Sequence, residues 1–510
     1  MRYGTGVNFI AGFVVAFLNT ACGPQTFTSE KGLVAGLAGR VWRDPVSLEP
    51  LAPGGVPIDP AGRTHLSFDI QSVGNQALLV ASLYDDGPAT AVYRVYSRVY
   101  REEVGLASSG LTSDFIDLAS SDDSTDSLGG VGLAATRGGA AQLLALELSG
   151  GATAQTLVRY QGGDWGSSSA FAPGLNATVP GDLRMQAGPL IRSVFDGLGR
   201  VFSAYVETGS NLLQLENRAL GGSIATNLST VTESTGGVAD RQVSLAFDGF
   251  LNVCALAQDF AGAATVSAEC VSSVSPTAAA TSIPLSAGGE GRGHAIAGGD
   301  GYLVAAYFAA DSNGVMQVYV AITDDATFSS AATAVSEGMP SDFAVLGDVE
   351  EGGAPQVLFL GSGYFMVAWS AASSSSAAVY YSVADLTAGT WSAPARVSKA
   401  ISFSGETPID SFHLFGDAHG GAGIGVRYFS AVGGSRDLST RKMLLSRYHP
   451  SIGWLGYVER GVGCTPTSAA EVAGCSHRPV GAILDSGATV VLFQDQDESG
   501  VYRWTGVEFR

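Results

Sequence analysis

Four of the six histidines stand at or just ahead of short apolar runs, and arginines recur at the same places. The set is Arg63 and His65, Arg241, Arg292 and His294, His413, and His477 and Arg478. Guanidinium groups brought together from distant parts of the chain can hold a carboxylate or sulfate through paired N–H donors. The same side chains can instead satisfy crowded backbone polar groups where the runs begin. Imidazoles also suit zinc or copper, but no ligand spacing supports a metal, and none is assigned. The stretch from Asp495 to Gly500 opens like a calcium loop, with Asp495, Asp497 and Ser499 as alternate oxygen donors. Its ninth and twelfth positions are Arg503 and Gly506 rather than carboxylates, so an acidic hairpin tip is the preferred reading over calcium. No phosphate-binding loop, H-E-x-x-H, G-x-S-x-G or paired C-x-x-C occurs, and no catalytic residue is assigned.

Those positions are carried by a repeat. An apolar strand, a Gly-containing turn and a second apolar strand recur at 193–205 (SVFDGLGRVFSAY), 244–256 (SLAFDGFLNVCAL), 295–307 (AIAGGDGYLVAAY) and 357–369 (VLFLGSGYFMVAW). Weaker copies surround Gly74, Gly139, Gly421 and Gly487, which makes eight copies spaced 52 to 66 residues apart. Asp-Gly and Gly-Gly supply the positive φ of a tight hairpin, and the flanking Val, Ala, Phe and Tyr suit a pleated, buried surface. A third strand follows, clearest at 379–383 and 318–322, then a closing element such as 391–397 (WSAPARV). Four short strands cannot bury both faces of their sheet alone, so neighbours must stack. Radial stacking gives an all-β fold, a β-propeller of eight four-stranded blades, with seven as the alternative count. The element at 42–48 (WRDPVSL) resembles the closing element but precedes the first hairpin, while the last copy stops at Arg510 without one. It is therefore expected to supply the outer strand of the last blade, closing the ring and covering an open edge.

The segments 363–370 (GYFMVAWS), 379–382 (VYYS) and 389–397 (GTWSAPARV) resemble the sialidase-like, BNR-type propeller repeats of exported bacterial lipoproteins. The resemblance implies the propeller fold, and in that family three arginines grip a substrate carboxylate while an acid and a Tyr–Glu pair hydrolyse the glycosidic bond. Arginines match here by place; the acid and the Tyr–Glu pair have no counterpart.

Composition sets the surroundings. Hydrophobic residues make up 46% and charged residues 15% of the 510, with 68 glycines, which is the profile of a β-rich globular chain. A net charge of −20 repels phosphate backbones, so no nucleic-acid partner is expected. Residues 1–21 have an early Arg2, an apolar stretch from Val7 to Leu18 and small residues before Cys22, the pattern of an export signal. That stretch is shorter than the roughly 20 residues that span a bilayer. Asn19-Thr20-Ala21-Cys22-Gly23 resembles the lipobox of bacterial lipoproteins, which implies lipidation of Cys22; simple cleavage after Ala21 is the alternative. The remaining cysteines form two local pairs, Cys254 with Cys270 and Cys464 with Cys475, as an oxidising compartment allows. Residues whose numbers sum to 524 face each other across the hairpin around Gly262, which opposes Cys254 and Cys270 directly. The expected molecule has a signal peptide (1–21), an anchor and linker (22–40) and one propeller domain (41–510). It is expected to be a monomeric outer-membrane lipoprotein, or periplasmic or secreted, touching the membrane only through its anchor. Its expected role is binding a glycan or protein at the cell envelope; the alternatives are a sialidase-like exo-glycoside hydrolase and an envelope scaffold.

Overall fold

At three hairpin turns, those at Asp196, Asp248 and Asp417, an aspartate does as much of the closing as the glycine. In the computed structural model, Asp248 Oδ1 accepts the N–H groups of Phe250 and Leu251 at 2.7 and 2.8 Å, and Gly249 holds φ at +90°. Asp196 Oδ1 accepts Arg200 N at 2.8 Å, and Asp417 Oδ1 accepts His419 N and Gly421 N at 2.7 and 2.9 Å. A short carboxylate at the first position of the turn thus replaces the water that the exposed N–H groups need.

The structure describes residues 40–510 except 49–62, 86–91, 107–113, 117–126, 171–190, 233–243, 430–440, 462–478 and shorter stretches between strands. The described residues form β-strands without a helix, arranged in eight antiparallel sheets, and the fold is a β-propeller. Numbered along the chain, sheets 1 to 8 begin their main hairpins at Arg63, Ser127, Ile191, Ser244, Arg292, Gln356, Ile409 and Val480; in sheet 4 the meander runs Ser244–Phe247, Asn252–Asp259, Thr265–Ser272, Thr281–Pro284, and sheets 1, 3 and 5 follow the same four-stranded order. Sheets 2, 6 and 7 carry extra short strands; in sheet 6 the second strand, Tyr364–Ala372, pairs with both Gln356–Gly361 and Ala344–Val345. The expected third strands at 318–322 and 379–383 lie within Met316–Thr323 and Ser376–Asp385.

Sheet 8 takes three strands from the end of the chain, Val480–Ile483, Thr489–Gln496 and Tyr502–Phe509, and its fourth from the beginning. Val46 pairs with Gly506, Ser47 with Thr505, and Trp42 bridges to Phe509. Leu48 N donates to Trp504 O at 2.6 Å, so the last strand has no bare edge over this length.

The apolar core sits between sheets. Phe412, Leu414 and Ile424 of sheet 7 pack with Met366, Ala368 and Val379 of sheet 6; Val304, Phe308 and Val318 of sheet 5 pack with Trp369 and Tyr380 of sheet 6. Leu48, Val490, Leu492 and Trp504 of sheet 8 pack with Ile70, Leu79 and Tyr100 of sheet 1. Successive residues on one strand serve opposite seams, as in sheet 4, where Val253 and Ala255 face sheet 3 and Cys254 and Leu256 face sheet 5. That is the period-2 geometry of a sheet buried on both faces.

Candidate functional site

The first strand of every sheet lies against the first strand of the next, and the first strand of sheet 8, Val480–Ile483, lies against that of sheet 1, Arg63–Val73. Candidate positions on these strands therefore lie on neighbouring first strands. Arg63 and His65 lie in Arg63–Val73, Arg292 and His294 open Arg292–Gly299, and His413 lies in Ile409–Gly416. For Arg63, His65 and Arg292 only the backbone is described, and Arg241, His477 and Arg478 lie outside the described residues. Cys22, Cys464, Cys475, Asp497 and Ser499 also lie outside them, whereas Asp495 falls in a strand opposite Arg503.

Neighbouring first strands are joined by side chains. Asp69 Oδ2 accepts Leu133 N of sheet 2 at 3.0 Å, while its Oδ1 accepts Ile70 N at 2.8 Å. Gln356 of sheet 6 donates Nε2–H to Phe412 O at 2.8 Å and accepts Leu414 N at 2.9 Å, both in sheet 7. Ser244 Oγ of sheet 4 donates to His294 O of sheet 5 at 3.2 Å. These bonds answer backbone groups that the ladders within each sheet leave over.

His294 belongs to this joinery. It is fully buried, and its Nδ1 lies 3.0 Å from Ser244 Oγ. The Ser244 hydroxyl thus sits between the ring and the backbone carbonyl of the same residue. Burial pushes the imidazole pKa down to about 4, so it is neutral at pH 7 and offers an anion no charge. His413 is partly exposed, its ring stacked on Phe415 with centroids 5.9 Å apart.

Two charges on the first strands have a different character. Burial raises the pKa of Asp69, against the opposing charge of Arg192 and the two backbone N–H donors. Burial likewise lowers the pKa of Arg192, with Asp69 opposing. The two residues sit on sheets 1 and 3 with the glycine-rich first strand of sheet 2, Ser127–Ala135, in contact with both their strands. A poorly hydrated guanidinium and carboxylate within each other's field can take hold of a charged or strongly polar group. Arg192 has the signal that marks Arg63 and Arg292, an arginine where a first strand begins, but it stands one residue ahead of the 193–205 repeat and was missed. Asp69 had no such signal, since its partner at Leu133 is set by which sheets are neighbours.

No protein-family model matches the sequence, and no curated protein matches it. Among solved structures, the BP39L lectin of Burkholderia pseudomallei is similar at 14% identity and a TM-score of 0.42, over 78% of this chain and 98% of the lectin. The β-propeller domain of the Trilobed protease of Pyrococcus furiosus is 9% identical with a TM-score of 0.39, over 78% of this chain and 97% of that domain. A Trypanosoma rangeli sialidase in complex with the inhibitor DANA is 10% identical with a TM-score of 0.31, over 92% of this chain and 59% of the sialidase.

Proposed function

We propose that the protein is an exported, lipid-anchored binding module whose first-strand rim takes an acidic glycan, one bearing a carboxylate or sulfate. The observation that carries this reading is Arg192 at the start of a first strand, where burial lowers its pKa and, among the described residues, Asp69 opposes that shift. Arg63, Arg241, Arg292 and Arg478, which recur at or just ahead of apolar runs in the sequence, would complete the clamp. In this reading the eight sheets are eight blades, the strand at Val46–Ser47 closes the ring, Cys22 carries the lipid, and the monomer faces outward from the envelope. The test is a thermal-shift and calorimetric screen of the mature domain against hexuronate and sulfated oligosaccharides. Binding should fall at least ten-fold in Arg192→Ala and Arg292→Ala; equal binding by both variants rejects the rim. Labelling with a palmitate analogue should mark the wild type and not Cys22→Ala, and equal labelling rejects the anchor.

A second reading, an exo-glycoside hydrolase, draws on Asp69. A carboxyl whose pKa is raised by burial is suited to protonate a leaving oxygen. Here Asp69→Asn should abolish turnover of fluorogenic glycosides while leaving ligand affinity within a few-fold. Absence of turnover in the wild type removes this reading and leaves binding or a scaffold role.

A further inference from the structure

We propose a second binding site, for a neutral saccharide unit, in the pocket between sheets 4 and 5 at the hairpin-turn end of the molecule. It lies away from the strand-start end that carries Arg292. The pocket has a volume of about 330 Å³, within the range of small-molecule sites. One wall is the end of sheet 4, with Asn252, Cys270 and Ile283; the other is the turn Asp325-Ala326-Thr327 of sheet 5.

Both walls are held in place before any ligand arrives. Cys270 is bonded to Cys254 on the paired strand. Opposite it, Asp325 Oδ1 receives Thr323 Oγ1, Thr327 Oγ1 and Thr327 N at 2.8, 2.6 and 2.9 Å. Hydrogen bonds from Thr327 and Thr323 hold its carboxyl below the usual range, so it is ionised at neutral pH. Oδ2 takes none of these bonds and is left to accept from a ligand. The turn holds two non-glycine residues at positive φ, Ala326 at +61° and Phe328 at +45°, with the Phe328 side chain buried in the seam core. Such strain persists where the surroundings fix it, and it clusters at ligand sites. Asn252 commits its Nδ2 to Asp248 Oδ2 at 2.8 Å, which leaves its Oδ1 as a second acceptor.

The chemistry of the lining selects the ligand. Among the described lining residues there is no lysine or arginine, and the nearby Arg200 is engaged with Asp196 Oδ2 at 2.7 Å and with Ser273 O. An anion therefore finds no partner. A single carboxylate is too few oxygen ligands for calcium. What remains is a donor-rich, uncharged molecule with an apolar face. Val271, Ile283 and Ala326 give the lining an apolar part, and outside it Phe250 is 66% exposed on the turn that leads into Asn252 and rests over Gly301 of sheet 5. Sugar hydroxyls would donate to Asp325 Oδ2 and Asn252 Oδ1, with a ring face on Phe250.

The test is titration of the intact mature protein with a panel of neutral methyl hexopyranosides and methyl pentopyranosides, followed by saturation-transfer NMR and calorimetry. At least one glycoside should bind in the millimolar range or tighter. Asp325→Asn, which keeps an Oδ1 acceptor for the turn, should weaken it at least ten-fold, and the exposed Phe250→Ala about five-fold. Arg192→Ala should leave it unchanged, which separates this site from the rim. Binding of no glycoside, binding indifferent to both Asp325→Asn and Phe250→Ala, or a response to calcium alone overturns the proposal.

Discussion

The seam between sheets 8 and 1 and the seam between sheets 4 and 5 close the same kind of gap by opposite means. At the first, chain ends meet: Arg40 pairs with Glu102 at 2.6 Å, Arg510 Nε with Glu508 at 2.9 Å, and Arg510 reaches Glu102 O at 3.0 Å. At the second the polar contacts are neutral: Ser244 with His294, Gly293 N with Gln258 Oε1 at 3.1 Å, and Tyr307 OH with Leu285 O at 2.8 Å. Both seams also bury aliphatic and aromatic side chains. The difference teaches where charge is useful in this fold. Strands from opposite ends of the chain must find each other across a large loop-closure cost, and ion pairs add directional contacts that apolar packing lacks. The sheet 4 and sheet 5 strands are close in sequence, and a neutral seam suffices.

The largest effect is expected from removing the apolar part of the terminal seam. Trp504 is 1% exposed and packs in the core shared with Leu48 and Leu79. Trp504→Ala should cost about 3–5 kcal/mol in urea unfolding. If it costs no more than a surface substitution, that core is not what joins the chain ends. Next comes the covalent tie beside the neutral seam. Cys254→Ala with Cys270→Ala should cost about 3 kcal/mol, the value for closing a loop of this size. Reducing agent should destabilise the wild type by more than it does the double variant. Equal sensitivity in both would place the effect at other cysteines.

How much of this was legible in the letters depends on sequence distance. The hairpins, the third strands and the register opposing Cys254 to Cys270 followed from local alternation around a turn, and Asn252 indeed faces Ser272. The pairing of Val46 with Gly506 was readable because one end showed the closing element that the other lacked. The candidate site was read less well. Which arginine meets which carboxylate depends on contacts between sheets, and nothing near Asp69 in sequence points to Leu133 or Arg192. His294 looked like a rim cation because histidine and arginine adjoin there; its complete burial comes from packing against sheet 4, which local pattern cannot show. Asp196 and Asp248 were visible as Asp-Gly, whereas Asp417, followed by Ala418, caps its turn without that dipeptide.

His294 also separates the seams by pH. Its pKa is pushed down to about 4 in the fold, against about 6.5 in an unfolded chain. Its contribution is therefore full above pH 6.5 and is lost as pH falls toward 4. At pH 5 the loss should be about 2 kcal/mol, from the free energy of a shifted titration. His294→Gln should remove this dependence between pH 6.5 and 5, seen as a flatter stability profile. A profile equally steep in the variant would mean that another group carries the acid response.

The ionic seam should give the smallest effect and a different signature. Burial works against the Glu102 carboxylate, but the hydrogen bond from Ser486 and the charges of Arg40 and Arg510 outweigh it and hold its pKa below the usual value. A carboxyl lowered in the fold contributes above its unfolded pKa, and the contribution fades only as pH falls through the folded value. At pH 5, where His294 already costs stability, Glu102 should still contribute in full. Glu102→Gln should cost less than about 1 kcal/mol, because both partners are partly solvated. Its cost should shrink between low salt and 0.5 M salt, as screening shortens the reach of charge. Because Arg510 also bonds the backbone of residue 102, a bond the substitution keeps, the residual cost at high salt measures how much of the clasp is geometric rather than ionic. A cost that is salt-independent and present equally at pH 3 would show that the two seams do not differ in the way their contacts suggest.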